Sequence, residues 1–222
     1  MDLNVLRWAP HNKGTAQFLL VLCHGVAADA SQMAVFVEQL RPVLPDAAFL
    51  APTAPFPFDQ GPPGTMVGHQ WFSLRDRTPA VMDAGARTAT PMLNATIDAE
   101  CARLGLPSSR VAMAGFSQGA MMVLHAGLRR MPPPACILAY SGALLLTPAL
   151  AAEMTGRPPT LLVHGEHDNV VPFALALASQ QALRQLRVPV ETCWRPALDH
   201  SVDDEGIAAG LGMLQRTVLQ PT

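Results

Sequence analysis

The segment Val111-Ala112-Met113-Ala114-Gly115-Phe116-Ser117-Gln118-Gly119 decides the fold prediction. A short apolar run leads into GFSQG at 115–119, and further apolar residues, Met121–Leu124, follow it. The first run is typical of a buried strand, and the second opens a predicted helix. A serine between two glycines at a strand-to-helix turn is the setting of a nucleophile elbow. On this motif alone the alternative stays open that Ser117 only caps an ordinary helix.

Short apolar runs alternate with helix-length segments on both sides of this motif. The predicted strands are Phe18–Cys23, Ala47–Ala51, Arg110–Ala114, Ala135–Tyr140, Thr160–His164 and Pro189–Trp194, and Leu3–Trp8 is a candidate antiparallel edge strand. The predicted helices are Gln32–Leu44, Thr88–Leu104, Gln118–Met131, Phe173–Leu186 and Val202–Leu219. Continuous apolar strands alternating with helices predict an α/β fold, with a mostly parallel central sheet covered on both faces.

Length and composition limit the organisation of the chain. It has 222 residues, of which 50% are hydrophobic and 14% charged, and no linker or long helical insertion divides it. We therefore expect one domain over residues 1–222 without a separate cap domain. The segment 52–79 is rich in proline and glycine, and a loop this long in a compact domain is usually functional or disordered.

Charge, apolar runs and cysteines exclude several classes of function. The net charge is −2 and Lys13 is the only lysine, so there is no basic surface for nucleic acid. The strongest apolar run, Phe18–Cys23, is far shorter than the roughly 20 residues of a membrane span. No secretory signal is visible, which predicts a cytoplasmic protein. The four cysteines are far apart, which predicts free thiols and no metal site.

A serine nucleophile needs a base, and the base needs an acid that orients it. Among seven histidines, His200 is favoured because Asp199-His200-Ser201 follows the last predicted strand, at the sheet edge where Ser117 lies. The acid is less obvious, since the candidates are Glu166, Asp168, Asp199, Asp203 and Asp204. Asp168 is favoured because its loop follows a strand and precedes a turn into a helix, whereas Asp199 adjoins His200 and diverges from it.

An oxyanion hole is expected where an early strand ends. Cys23-His24-Gly25-Val26 ends the first long strand, and Gly25 allows its backbone to approach the serine. The amides of Val26 and Gln118 are the predicted donors to the tetrahedral oxygen.

Together these segments resemble the phospholipase/carboxylesterase family. The resemblance rests on His24-Gly25-Val26, GFSQG at 115–119, HGxxDxVVP at 164–172 and DHS at 199–201, and it covers nearly the whole chain. It implies the α/β-hydrolase fold, with Ser117 as nucleophile, Asp168 as acid and His200 as base. It also implies the amides of Val26 and Gln118 as oxyanion donors, and hydrolysis of carboxylic esters or thioesters without a metal or cofactor.

The long loop and two departures from the family pattern concern the substrate side. Trp71-Phe72 is similar to the WF segment of that family, and these residues either line the acyl pocket or anchor the loop. Glu166 stands where the family commonly has aspartate, and His24–Ala28 replaces HGxGD, which makes the oxyanion loop less polar.

The sequence therefore predicts a serine hydrolase that cleaves carboxylic esters of short-to-medium acyl chains through an acyl-enzyme. Thioester or lysophospholipid cleavage on the same triad is the alternative within enzymes, and a catalytically silent ligand-binding protein is the alternative outside them. The expected partners are a small-molecule or lipid ester, with no nucleic acid and no membrane span, for a monomer or homodimer.

Overall fold

The main sheet of the protein has seven strands. The structure is a computed structural model that describes residues 3–62, 64–65 and 67–219. In chain order, the strands are β1 (Val5–Trp8), β2 (Phe18–Cys23), β3 (Ala47–Pro52), β4 (Phe56–Pro57), β5 (His69–Gln70), β6 (Val111–Phe116), β7 (Cys136–Tyr140), β8 (Thr160–Gly165) and β9 (Val190–Arg195). The main sheet has the order β1-β3-β2-β6-β7-β8-β9, and β4 pairs with β5 separately. Only β1 runs antiparallel to its neighbour in the main sheet, as predicted for an edge strand.

Helices cover both faces of this sheet. They are α1 (Ala34–Leu40), α2 (Pro79–Leu104), α3 (Gln118–Gly127), α4 (Leu150–Glu153), α5 (Phe173–Gln185) and α6 (Asp204–Leu214). One apolar core lies between the sheet and α2, α3 and α5, and the other lies between the sheet and α1 and α6. Alternate residues of each strand enter opposite cores: Leu19 and Val21 of β2 face one, while Leu20 and Leu22 face the other. The predicted α/β architecture is confirmed.

Several helix boundaries differ from the prediction. The helix expected from Thr88 begins at Pro79, where proline fits the first helical turn. Its Gly85 lies so close to Phe72 that a Cβ there would be 2.6 Å from the Phe72 Cβ atom. The proline and glycine of this segment are typical of a loop, but its packing against Phe72 accommodates a helix. The helix expected over Gln32–Leu44 is a 3₁₀ turn, Ala30–Met33, followed by α1.

Two other α-helices, α3 and α6, are shorter than the apolar pattern indicated. α3 ends at Gly127 instead of Met131, and α6 begins at Asp204, capped by Asp203, before a π-helical turn over Gln215–Leu219.

The proline-rich segment 52–79 contains ordered contacts with the end of β2. Besides the β4–β5 pair, the His69 backbone accepts a hydrogen bond from the Ala27 amide and donates one to the Ala28 carbonyl, both at 2.8 Å. These contacts bring the loop beside the carboxyl ends of β2 and β6.

Candidate active site

Ser117 occupies a strained turn between β6 and α3. Its φ is 56° and its ψ is −119°, a backbone conformation that costs energy for a residue with a side chain. The flanking glycines are required by close backbone contacts: a Cβ at Gly119 would overlap the Cys23 carbonyl, and one at Gly115 would overlap the Gly119 carbonyl. The Ser117 amide donates to the Tyr140 carbonyl at 2.9 Å, which fixes the turn on β7. This is the geometry of a nucleophile elbow.

His200 lies between Ser117 and Asp168. Its Nε2 atom is 2.9 Å from the Ser117 Oγ atom, and its Nδ1 atom is 2.7 Å from the Asp168 Oδ2 atom. The imidazole also packs against Phe116, with 5.0 Å between the ring centroids. The structure therefore brings the three predicted catalytic residues into one line of hydrogen bonds, from loops that follow β6, β8 and β9.

The Asp168 carboxylate is fully buried and held on both oxygens. Its Oδ1 atom accepts hydrogen bonds from the amides of Val170 (2.9 Å) and Val171 (2.8 Å), which leaves Oδ2 for His200. His164 supports the same turn, because its Nε2 atom donates to the Val171 carbonyl at 2.8 Å.

The competing carboxylates are exposed to solvent or bind groups other than His200. Glu166 and Asp199 are exposed, and Asp199 accepts a hydrogen bond from the Ser201 hydroxyl at 2.7 Å. Asp203 caps α6 by accepting from the Gly206 amide at 2.9 Å. Within the residues that the structure describes, Asp168 is the carboxylate that reaches the His200 ring.

The predicted oxyanion donors lie next to the serine. Gly25 is close enough that a Cβ there would be 3.5 Å from the Ser117 Cβ atom, and Val26, Ser117 and Gln118 line the same cavity. In the described part of the chain, neither the Val26 nor the Gln118 amide donates to a protein acceptor. Gln118 also begins α3, whose amino-terminal end favours negative charge.

The Gln118 side chain has a second role that the sequence did not reveal. Its Oε1 atom accepts from the Trp71 amide at 2.9 Å, and its Nε2 atom donates to the Phe72 carbonyl at 2.7 Å. The Trp71 indole N–H in turn donates to the His24 carbonyl at 3.0 Å. A clue was present, since Gln118 is one of two hydrogen-bonding side chains in the otherwise apolar α3, with His125.

Trp71 and Phe72 are core residues in this structure. Their exposed fractions are 0% and 1%, and neither belongs to the wall of the cavity beside Ser117. The expectation that they line the acyl pocket is therefore corrected in favour of the other alternative, an anchor for the long loop. The physical reason is that both aromatic side chains gain more by burial between the loop and α2 than by facing an open cleft.

Two adjoining cavities form what we call the substrate groove. The first, of about 230 Å³, opens at Ser117, and the second, of about 250 Å³, shares part of its wall. The shared wall residues are Arg77, Met82, Met121 and Leu175, and the far end is formed by Leu144, Leu145 and Leu146. The long loop contributes Leu74 and Arg77, so its carboxyl-terminal part lies in the wall of the groove.

The described residues offer no cluster of three or more histidine, cysteine, aspartate or glutamate side chains that could hold a metal ion. The cysteines are free, and Cys23, Cys101 and Cys136 are buried. In the same part of the chain, no helix combines the length and apolar character needed to cross a bilayer.

Comparison with known proteins places this geometry in a family. The family model described as Phospholipase/Carboxylesterase matches residues 10–216. The chain belongs to the phospholipase/carboxylesterase family. It is a carboxylic ester hydrolase of that family, and the resemblance noted from the sequence is confirmed.

Individual relatives agree with this assignment. Esterase YpfH from Escherichia coli is 29% identical over 203 residues, covering 91% of this chain and 84% of the relative. Acyl-protein thioesterase 1 from Neurospora crassa is 29% identical over 196 residues, covering 82% and 79%. The crystal structure of esterase PE8 superposes with a TM-score of 0.89 at 31% identity, covering 98% of this chain and all of the other. The α/β-hydrolase fold is thereby confirmed, whereas the 1–222 domain boundaries and the cytoplasmic location stay predictions.

Proposed function

We propose that this family member hydrolyses carboxylic esters of short-to-medium acyl chains, with Ser117 as nucleophile, His200 as base and Asp168 as acid. The observation that carries the proposal is the unbroken line of hydrogen bonds from the Asp168 carboxylate through His200 to the Ser117 hydroxyl. A serine hydroxyl is a weak nucleophile, and an imidazole within 3 Å can take its proton as the bond to the ester carbon forms.

The reaction proceeds through an acyl-enzyme. The Ser117 oxygen attacks the ester carbonyl while its proton moves to His200 Nε2, and the Val26 and Gln118 amides stabilise the oxyanion. His200 then gives the proton to the departing alcohol. Water attacks the acyl-serine with His200 again as base, which releases the acid and restores Ser117. Asp168 holds the Nδ1–H tautomer throughout and favours the transient imidazolium.

The size of the groove supports the chain-length assignment. Sites for drug-sized ligands usually enclose about 300–1,000 Å³. The cavity at Ser117, at about 230 Å³, falls below that range, and it enters the range only together with the adjoining cavity. Because the two cavities together offer a limited volume, we expect turnover to rise with acyl length and then fall.

Thioester cleavage is the second candidate, and the similarity to acyl-protein thioesterase 1 favours it. The same triad serves both ester classes, so a direct comparison of kcat/KM decides between them. Matched p-nitrophenyl and coenzyme A esters of one acyl chain are suitable substrates, and a higher value for the thioester would overturn the ester assignment.

The triad is tested with Ser117→Ala and a matched serine variant, Ser201→Ala. Ser117→Ala removes the nucleophile, so we expect loss of fluorophosphonate labelling and a fall in ester turnover of about 10⁴-fold or more. Ser201→Ala should keep both, since the Ser201 hydroxyl contacts Asp199 and not the triad. Labelling and turnover that persist in a clean Ser117→Ala preparation would refute the mechanism. A wild-type protein that folds but is neither labelled nor active would be a silent ligand-binding hydrolase.

A further inference from the structure

The substrate groove contains one charged side chain. Its described lining consists of apolar side chains, prolines, Ser117, Gln118 and Arg77. Arg77 belongs to the walls of both cavities, so it lies where the two spaces adjoin. A substrate that extends from Ser117 into the second cavity therefore passes Arg77.

Arg77 is exposed, and its side chain has no ion pair or hydrogen bond with any residue that the structure describes. Other arginines near the site are neutralised, for example Arg75 by Asp59 and Arg87 by Glu153. The carboxylate next to it in sequence is engaged elsewhere, because Asp76 Oδ1 accepts a hydrogen bond from the Thr78 amide at 2.8 Å. The positive charge of Arg77 is therefore available to a ligand.

We propose that Arg77 is a specificity-determining residue that selects esters carrying an anionic group away from the scissile carbonyl. This inference rests on the proposed ester hydrolysis, and it names the substrate class more closely. A guanidinium offers paired N–H donors that match a carboxylate, and charge-assisted hydrogen bonds are stronger than neutral ones. An apolar groove with one unneutralised cation discriminates between anionic and neutral ligands of equal size.

A purely structural role for Arg77 makes a different prediction. The aliphatic part of an arginine can cover apolar surface while its charge faces water. In that case Arg77→Met, which keeps an unbranched apolar side chain and removes the charge, leaves every ester unaffected. If Arg77 selects anions, the same variant loses activity only toward anionic esters, and Arg77→Lys keeps part of the preference.

The test compares matched esters that differ only in charge. In the acyl arm, p-nitrophenyl hydrogen suberate is paired with p-nitrophenyl methyl suberate. In the alcohol arm, 4-(butanoyloxy)benzoate is paired with its methyl ester, so the two arms show which side of the ester bears the anion. Wild type, Arg77→Met, Arg77→Lys and the control Arg184→Met are assayed at low salt. Arg184 is also exposed and unpaired in the described residues, and it lies near the end of α5, outside the groove.

In at least one arm, wild type should favour the anionic ester in kcat/KM by about three- to tenfold, as expected for a partly exposed charge pair. Arg77→Met should bring this ratio to about one by lowering kcat/KM for the anionic ester, with no change for the neutral ester. Arg184→Met should leave the ratio unchanged. Added salt should lower the wild-type ratio, because exposed charges are screened. No preference in either arm, a preference that survives in Arg77→Met, or an equal loss for both esters would overturn the proposal.

Binding to the inactive Ser117→Ala variant separates this inference from the proposed function. Calorimetry with the intact anionic and neutral esters should show tighter binding of the anionic ester, and Ser117→Ala/Arg77→Met should lose that difference. If wild type hydrolyses none of the esters, the proposed function fails, while the binding comparison still decides whether Arg77 selects anions. If turnover is normal but the two esters bind equally, the role of Arg77 is refuted and ester hydrolysis stands.

Discussion

Asp168→Asn should disable catalysis by reversing the tautomer of His200. Asp168 Oδ1 accepts hydrogen bonds from two backbone amides, Val170 and Val171, so the carbonyl oxygen of the introduced asparagine must remain there. Its NH₂ group then faces His200 Nδ1 and can only donate. The imidazole must accept at Nδ1 and carry its proton on Nε2, the atom that lies 2.9 Å from the Ser117 oxygen. Nε2 can no longer take the serine proton.

The expected loss is about 10⁴-fold in kcat, because both the base and the charge that stabilises the imidazolium are removed. At about 1.4 kcal/mol per factor of ten, this corresponds to about 5 kcal/mol of transition-state stabilisation. KM should change little, since Asp168 is shielded from the groove. The free energy of unfolding should fall by only about 1–2 kcal/mol, because the two backbone hydrogen bonds to Oδ1 are kept.

Steady-state hydrolysis of a p-nitrophenyl ester, thermal unfolding and nitrogen-15 shifts of the His200 ring test this reasoning. The nitrogen shifts should report Nδ1–H in wild type and Nε2–H in the variant. Glu166→Gln and Asp199→Asn are the controls, since each removes one exposed carboxylate near the same loops, and we expect changes below about threefold. An Asp168→Asn enzyme within tenfold of wild type, or an equally damaged Glu166→Gln enzyme with normal unfolding, would show that the acid is assigned wrongly.

Three further changes test the anchor, the groove and a buried histidine. Trp71→Ala should destabilise the fold by about 3–5 kcal/mol, as expected for a buried aromatic side chain, and should not shift the preferred acyl length. A shifted acyl-length preference with an unchanged melting temperature would instead show that Trp71 lines the acyl pocket. Ala178→Trp should fill the far cavity and move the preferred p-nitrophenyl ester to a shorter chain, and an unchanged chain-length profile would contradict the assigned groove. Burial lowers the pKa of His125 from 6.5 to about 4, so between these values the unfolded chain binds a proton that the folded chain does not. The free energy of unfolding should therefore fall by about 3 kcal/mol as the pH falls through this window. Denaturant titrations of wild type and His125→Gln measure this effect. If the variant loses as much stability over the same pH range as wild type, His125 is not the cause.

The central strands of the sheet were predictable because they are buried on both faces. β2, β3 and β7 are continuous apolar runs, which are typical of strands covered on both sides. The start of α2 was not predictable from local preferences. Residues 79–87 include a proline and a glycine, and the contact of Gly85 with Phe72 that accommodates the helix joins segments distant in sequence.

Within the site, the residues proposed to perform the chemistry were easier to find than those that line the groove. Ser117, Asp168 and His200 each stand in a short motif after a strand, and parallel strands bring such ends to one sheet edge. Arg77 and Leu144 belong to no such motif, because their positions in the groove wall depend on the path of irregular segments. Trp71 was ambiguous for a physical reason: an aromatic side chain in a long loop can bury itself in a pocket wall or in the core, and the sequence is the same in both cases.

Gln118 connects the predicted oxyanion hole to the long loop. Its backbone amide is one of the two predicted oxyanion donors, while its side chain holds the backbone of Trp71 and Phe72. The Trp71 indole in turn donates to the carbonyl of His24, two residues before the other predicted donor, Val26. Loss of the Gln118 side chain would leave two buried backbone groups without partners, which typically costs about 1–3 kcal/mol each. Because these hydrogen bonds connect the long loop to the segments of both predicted oxyanion donors, we expect changes in the loop to affect kcat as well as substrate binding.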